Sequence, residues 1–251
     1  MVDGQMKILV FSDLHGDLES MQLLHEKIKS LGIKLDFVIF AGDFSNFFFQ
    51  GLETIDVFPL ILHEYEKFEV PVYYIRGNRD QNLQIRRVLP VDFEHAVSIE
   101  DKIVELENDL KIGGVLAGTI GELDIDENTI LVTHDEPAMF HKGTLLHVAG
   151  HVHAARYTRN FMNAGFLFRT PDHNAKPMKG IFWILEIAKN EDDFSVKSIN
   201  WYALEGKDYD TPQNKRRYPF KEYVCDIHPK AGTWVIPFYW KKCQWCYKEG
   251  R

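Results

Sequence analysis

The chain has 251 residues, 45% of them hydrophobic and 26% charged, with a formal net charge of −8. That length suits one large domain or a domain with a small appendage, and the acidic balance argues against a globally basic nucleic-acid binder while leaving room for a local basic patch. No run approaches the roughly 18 apolar residues of a membrane span, no basic-then-apolar leader opens the chain, and three cysteines, all beyond residue 220, make no secreted disulfide framework, so the expected setting is cytoplasmic.

The first strand runs through Lys7-Ile8-Leu9-Val10-Phe11 and breaks into Ser12-Asp13-Leu14-His15-Gly16-Asp17. In extended backbone, residues two apart point the same way, so Asp13 and His15 are expected to face one point. A carboxylate and an imidazole together suit a borderline divalent ion. Asp17 is a good N-cap for a helix whose stripe is Met21, Leu24, Ile28 and Leu31, with Gly32 to end it.

Phe37 to Ala41 is continuously apolar, as in a strand buried on both faces, and stops at Gly42-Asp43. Phe47, Phe48 and Phe49 follow, expected as a buried loop, with an exposed aromatic lip as the sharper reading. A helix is expected from Leu60 to Phe68, beginning after Pro59. The strand Val72 to Ile75 ends in Arg76-Gly77-Asn78-Arg79-Asp80, and a helix over Asn82 to Leu89 stops at Pro90.

Short strands are expected at Ile103 to Leu106 and Leu110 to Leu116. Thr129 to Thr133 ends at His134, and Leu145 to Ala149 ends at Gly150-His151-Val152-His153. Phe161 to Gly165 reads as a strand closing in a glycine turn. Ile181 to Ile187 and Phe194 to Tyr202 read as a late antiparallel pair.

Five strands thus end in side chains that bind metal: Asp13 with His15, Asp43, Asn78, His134, and His151 with His153. Ligands collect where strand ends converge, and Gly42, Gly77 and Gly150 each precede one. This ordered set resembles the calcineurin-like metallophosphoesterase superfamily over roughly residues 6 to 200. Its D-x-H, G-D, G-N-H-D/E, lone H and G-H-x-H appear as Asp13-x-His15, Gly42-Asp43, Gly77-Asn78-Arg79-Asp80, His134 and Gly150-His151-x-His153.

The resemblance implies an α/β fold, a four-layer αββα sandwich of two mixed β-sheets flanked by helices. It also implies two divalent metal ions (Mn, Fe, Zn, Co or Ni), one held by Asp13, His15 and His153, the other by Asn78, His134 and His151, with Asp43 bridging. The activity implied is phosphoester hydrolysis, with a metal-bridging hydroxide attacking phosphorus in line. Asp43, Asn78 and Arg79 are the expected catalytic residues.

Arg79 departs from the family, which has histidine there. Arginine stays charged and cannot act as a general acid, but it can clamp a phosphate oxygen. A phosphodiesterase with good leaving groups is therefore expected ahead of a monoesterase. The alternatives are an ion pair of Arg79 with Asp80, a catalytically weak scaffold of the same fold, or a nuclease. His141, His147 and His173 are the other candidates for the missing acid, though packing or surface roles are expected for most of them.

The metallophosphoesterase domain is expected to span 1–204 and a C-terminal extension 205–251. The extension carries ten Lys/Arg and six Asp/Glu among aromatics that include Tyr218, Trp234, Trp240 and Trp245. Such a mixture stacks on and neutralises single strands, yet covering the core edge is the favoured role, so nucleic acid is the less favoured partner beside a phosphate-ester substrate, and no membrane is expected. Cys225, His228, Cys243 and Cys246 have the spacing of a structural zinc site, with inert thiols or a disulfide as the alternative. Natural substrate and oligomeric state are not legible.

Overall fold

The computed structural model describes residues 5–45, 54–80, 93–115, 123–136, 143–169, 179–190, 193–205 and 220–251, with backbone alone over 54–57. Phe47 to Phe49, the helix expected at 82 to 89, His141, His173 and Tyr218 lie outside them.

In chain order the elements are β1 (Gln5–Phe11), α1 (Leu18–Leu31), β2 (Phe37–Phe40), α2 (Thr54–Glu66), β3 (Val72–Tyr74), β4 (Ala96–Ser98), β5 (Lys102–Glu105), β6 (Lys111–Val115) and β7 (Thr129–Thr133). There follow β8 (Leu146–Ala149), β9 (Ala155–Tyr157), β10 (Phe161–Asn163), β11 (Ile181–Asn190), β12 (Asp193–Ala203), β13 (Phe220–Val224), β14 (Thr233–Pro237) and α3 (Gln244–Lys248).

Two mixed sheets result, one ordered β12-β11-β1-β2-β3-β4 and the other β13-β14-β9-β10-β8-β7-β6-β5. Strands β1 to β4 run parallel, as do β6, β7, β8 and β10. Parity along β1 explains why its sequence is continuously apolar. Ile8 and Val10 face the core between the sheets, with Ile39, Ile130, Val132 and Val148. Leu9 and Phe11 face the opposite way, toward Met21, Leu24 and Ile28 of α1 and Ile61, Leu62 and Tyr65 of α2. Both faces are buried, so alternation is lost. On the outer face of the second sheet, Trp245 of α3 lies over the Arg156 guanidinium.

The predicted cap of α1 forms. Asp17 accepts from Ser20 N at 3.1 Å, and Gly32 adopts the left-handed C-cap at φ 62°. Helix α2 differs from expectation, because it starts at Thr54 and carries Pro59 inside it. An interior proline forfeits one backbone hydrogen bond, but Phe58, Ile61, Leu62 and Tyr65 form one buried stripe against the first sheet, and this packing outweighs the local break. β9 carries no clear sequence signal. The tail strands β13 and β14 extend the second sheet through β14 pairing with β9.

Candidate metal centre

The parallel strands β1, β2, β3, β7 and β8 all end at one edge of the sandwich, and the loops beyond them interlock. Asp13 N donates to Gly42 O, Leu14 N and His15 N both donate to Asp43 O, and Gly150 N donates to His134 O, each at 2.9 Å. Asp13, His15, Asp43 and His134 therefore sit on backbone held by backbone.

Extended geometry is not what aims them. β1 stops at Phe11, β2 at Phe40 and β8 at Ala149. Asp13, His15, Asp43, His151 and His153 then take left-handed backbone, with φ of 52°, 49°, 59°, 70° and 52°. Non-glycine residues pay on the order of 1 kcal/mol or more for this, and such outliers persist only where the surroundings over-determine them. Asp13 and His15 still converge two apart, but through the loop. Between them Leu14 turns into the helix-side core, and between His151 and His153 Val152 turns into a cluster formed by the tail.

Two groups of donors result. In the first, His15 Nε2 and His153 Nε2 lie 3.0 Å apart, and His153 Nε2 is 3.1 Å from Asp13 Oδ1. Asp13 Oδ1 is buried and accepts no hydrogen bond, while Oδ2 takes Ser12 Oγ at 2.5 Å and His151 N at 3.0 Å. In the second, Asn78 Oδ1 is 3.0 Å from both His134 Nε2 and His151 Nδ1. Asp43 Oδ2 lies between the groups, 3.8 Å from His15 Nε2 and 3.3 Å from His134 Nε2.

Imidazole nitrogens and carboxylate oxygens facing one another around an orphaned buried oxygen form a donor set that suits divalent cations. Burial disfavours charge on both Asp13 and His134. Histidines nonetheless hold Asp13 below its usual range, and Asp43 with Asp13 holds His134 up at about 9.

The supporting contacts are specific. His134 Nδ1 faces Ala41 O at 2.8 Å, which leaves Nε2 for the site. Phe168 sets its ring edge-on to those of His15 and His153, at centroid distances of 4.7 and 5.1 Å. Asp80 is not paired with Arg79. Its carboxylate accepts from Phe44 N at 3.1 Å, Ser45 N at 3.0 Å, Ser45 Oγ at 2.8 Å and Gly77 N at 2.8 Å. It thereby ties the Asp43 loop to the Asn78 turn, and burial with the neighbouring Asp43 pushes it up to about 7. Arg79 donates its backbone N to Asp43 Oδ1 at 2.8 Å and exposes its side chain at the rim. Gly77 is needed for approach, since a Cβ there would fall on Asp43.

His147 is buried on β8 with Nε2 2.9 Å from Thr133 Oγ1. Ser12, Glu136, Asn163 and Phe168 escaped sequence reasoning, because hydroxyl, amide and ring contacts between residues distant in the chain leave no local pattern.

The tail set also converges. Cys246 Sγ lies 3.6 Å from Cys225 Sγ and 3.7 Å from Cys243 Sγ, and His228 Nδ1 lies 3.7, 3.4 and 3.4 Å from the sulfurs of Cys225, Cys243 and Cys246. A tetrahedral zinc at ordinary bond lengths requires S···S edges of about 3.8 Å and S···N edges of about 3.6 Å. All three thiols are buried. Burial opposes ionisation of Cys225, but bonds from His228 and the other thiols hold it down at about 6. His228 Nε2 faces Glu249 Oε1 at 3.3 Å, the outer carboxylate that metal-bound imidazoles commonly have.

A family model described as a calcineurin-like phosphoesterase superfamily domain matches residues 6–189. No curated protein sequence matches the chain. Among solved structures, TT1561 of Thermus thermophilus is similar at 13% identity and TM-score 0.52, over 80% of this chain and 99% of that one, which bears on the fold alone. YfcE, a phosphoesterase from E. coli, aligns at 16% identity and TM-score 0.41, over 80% of this chain and 100% of that one.

Proposed function

Given that the chain belongs to the calcineurin-like phosphoesterase superfamily, we propose that it is a dinuclear metal-dependent phosphodiesterase. The observation that carries this is the pair of donor groups with Asp43 Oδ2 lying between them. Asp13, His15 and His153 would hold one ion and Asn78, His134 and His151 the other. Two such cations supply Lewis acidity toward a phosphoryl oxygen and make water a competent in-line nucleophile near neutral pH.

The chain's own residues do the rest. Ser12 and the His151 amide fix the Asp13 carboxylate. The Arg79 amide fixes Asp43, and the exposed Arg79 guanidinium is available to grip phosphate oxygens bidentately. Arginine donates no proton to a leaving group, and this favours aryl diesters over alkyl monoesters. Mixed imidazole and carboxylate ligands accept manganese, iron, zinc, cobalt or nickel. A third ion, a structural zinc, belongs to Cys225, His228, Cys243 and Cys246. Three thiols outside any disulfide suit a reducing cytoplasm.

The test is hydrolysis of a nitrophenyl phosphodiester and the matching monoester by metal-stripped protein with Mn²⁺ restored, beside Asp43→Asn. The expected result is metal-dependent diester turnover that exceeds monoester turnover and falls by at least about a hundredfold in the variant. Equal turnover of the two esters sinks the diesterase reading.

A further inference from the structure

The turn that presents His151 and His153 begins on the centre's own backbone, with Gly150 N donating to His134 O at 2.9 Å. His151 is exposed, and both residues hold positive φ. Beyond His151 N, which is held on Asp13 Oδ2 at 3.0 Å, further support comes from the tail. Val152 packs on the cluster of Cys225, Trp234, Cys243 and Cys246. Val152 O accepts from Gln244 Nε2 at 3.0 Å, and Gln244 follows Cys243 directly.

A second path runs through Arg156, whose buried guanidinium lies 5.0 Å from the Trp245 ring and 5.5 Å from the Trp234 ring. It donates to Ala231 O at 2.7 Å and to Glu136 Oε1 at 2.5 Å. Glu136 Oε2 accepts from Asn163 Nδ2 at 3.0 Å, and the same amide donates to Gly150 O at 2.7 Å. Gly150 precedes His151, and Glu136 lies two residues beyond His134.

The tail's own elements are short: two five-residue strands and a five-residue helix. Such elements order poorly without a staple.

We infer that the zinc-held tail is a positioning device for the dinuclear centre, with Gln244 and Arg156 as positioning residues acting through the His151–His153 turn. This rests on the reading of Cys225, His228, Cys243 and Cys246 as a zinc site. The ligand class is a single thiolate-bound zinc, chemically distinct from the two oxygen- and imidazole-bound ions. The physical logic is that of outer-shell partners, whose removal weakens metal affinity about 10- to 100-fold. Here the partner is a whole element rather than a side chain.

The experiment reads ion binding, so it stands apart from which ester is cleaved. Metal is counted in the purified full chain, the tail ion is exchanged for cobalt to look for thiolate-to-cobalt absorption, and Mn²⁺ binding at the stripped dinuclear centre is titrated by electron paramagnetic resonance. Gln244→Ala and the isosteric Gln244→Glu, which loses the donor when ionised, are compared with wild type and with Cys243→Ser.

The expected result is one zinc retained in both Gln244 variants, with Mn²⁺ affinity about tenfold weaker in each, and zinc lost with at least as large a weakening in Cys243→Ser. Gln244 variants that keep zinc and bind Mn²⁺ as wild type does would overturn the positioning role, even if Cys243→Ser fails to fold. A wild-type chain with no cobalt–thiolate absorption would overturn the zinc site itself, and the inference with it.

Discussion

Gly150 stands where three strand ends meet. A Cβ there would fall on Ser12 Oγ, 2.8 Å from Asp13 Oδ2 and 2.9 Å from Ala41 O. All three belong to tightly bonded backbone or side chains and cannot swing aside. Gly150→Ala is expected to displace Asp13 and weaken Mn²⁺ binding by roughly 10- to 100-fold, measured by titration calorimetry, while far-ultraviolet circular dichroism stays native. The seven ligand candidates and their glycines were legible as residue types at strand ends. The left-handed backbone that aims five of them was not. An i, i+2 pattern reads the same in a strand and in a loop, and only the interlocking amides between the Asp13 and Asp43 loops select the loop form. Arg79 was legible as a departure. That Asp80 would spend its carboxylate on four donors rather than on Arg79 needed the fold.

At the scale of elements, α2 shows packing overriding a local signal. Pro59 argues for a helix that begins after it, yet Phe58, Ile61, Leu62 and Tyr65 bury one stripe that spans the proline. Tyr65 carries a cost within that stripe, since its hydroxyl is buried without a hydrogen bond. Burial, with Asp80 and Tyr74 nearby, pushes its pKa well above 10. Tyr65→Phe is expected to stabilise the fold by about 1 kcal/mol, because the unsatisfied group disappears. The sign with pH follows from linkage. The phenol is neutral in both states below about pH 10, so it adds no pH dependence there. Above that, the unfolded chain releases the proton first and stability falls as pH rises. Urea unfolding at about pH 7 and about pH 10.5 should show a shallower alkaline loss in the Phe variant than in wild type.

Over the whole molecule, the described residues form a sandwich whose second sheet does not end where the superfamily match does. Residues 6–189 match the family model, but β13 and β14 continue the second sheet beyond β9, and Phe220, Trp234 and Ile236 are buried. We propose that the boundary at residue 204 marks a change of composition rather than two independently stable units. A chain cut there is expected to expose the β9 edge and the apolar residues under the tail. It should aggregate in size-exclusion chromatography or unfold at least about 10 °C lower than wild type.

The sequence by itself made legible the main apolar strands, the seven candidate donors that follow them and the four-residue tail set as a candidate, because hydrophobic runs and ligand chemistry are local properties. Only the tertiary structure decided that the tail joins the sheet and that Gln244 and Arg156 reach the His151–His153 turn. Those contacts join residues far apart in the chain, Gln244 to Val152 across 92 positions and Arg156 to Ala231 across 75, and contacts at such separations follow from folding rather than from any local pattern.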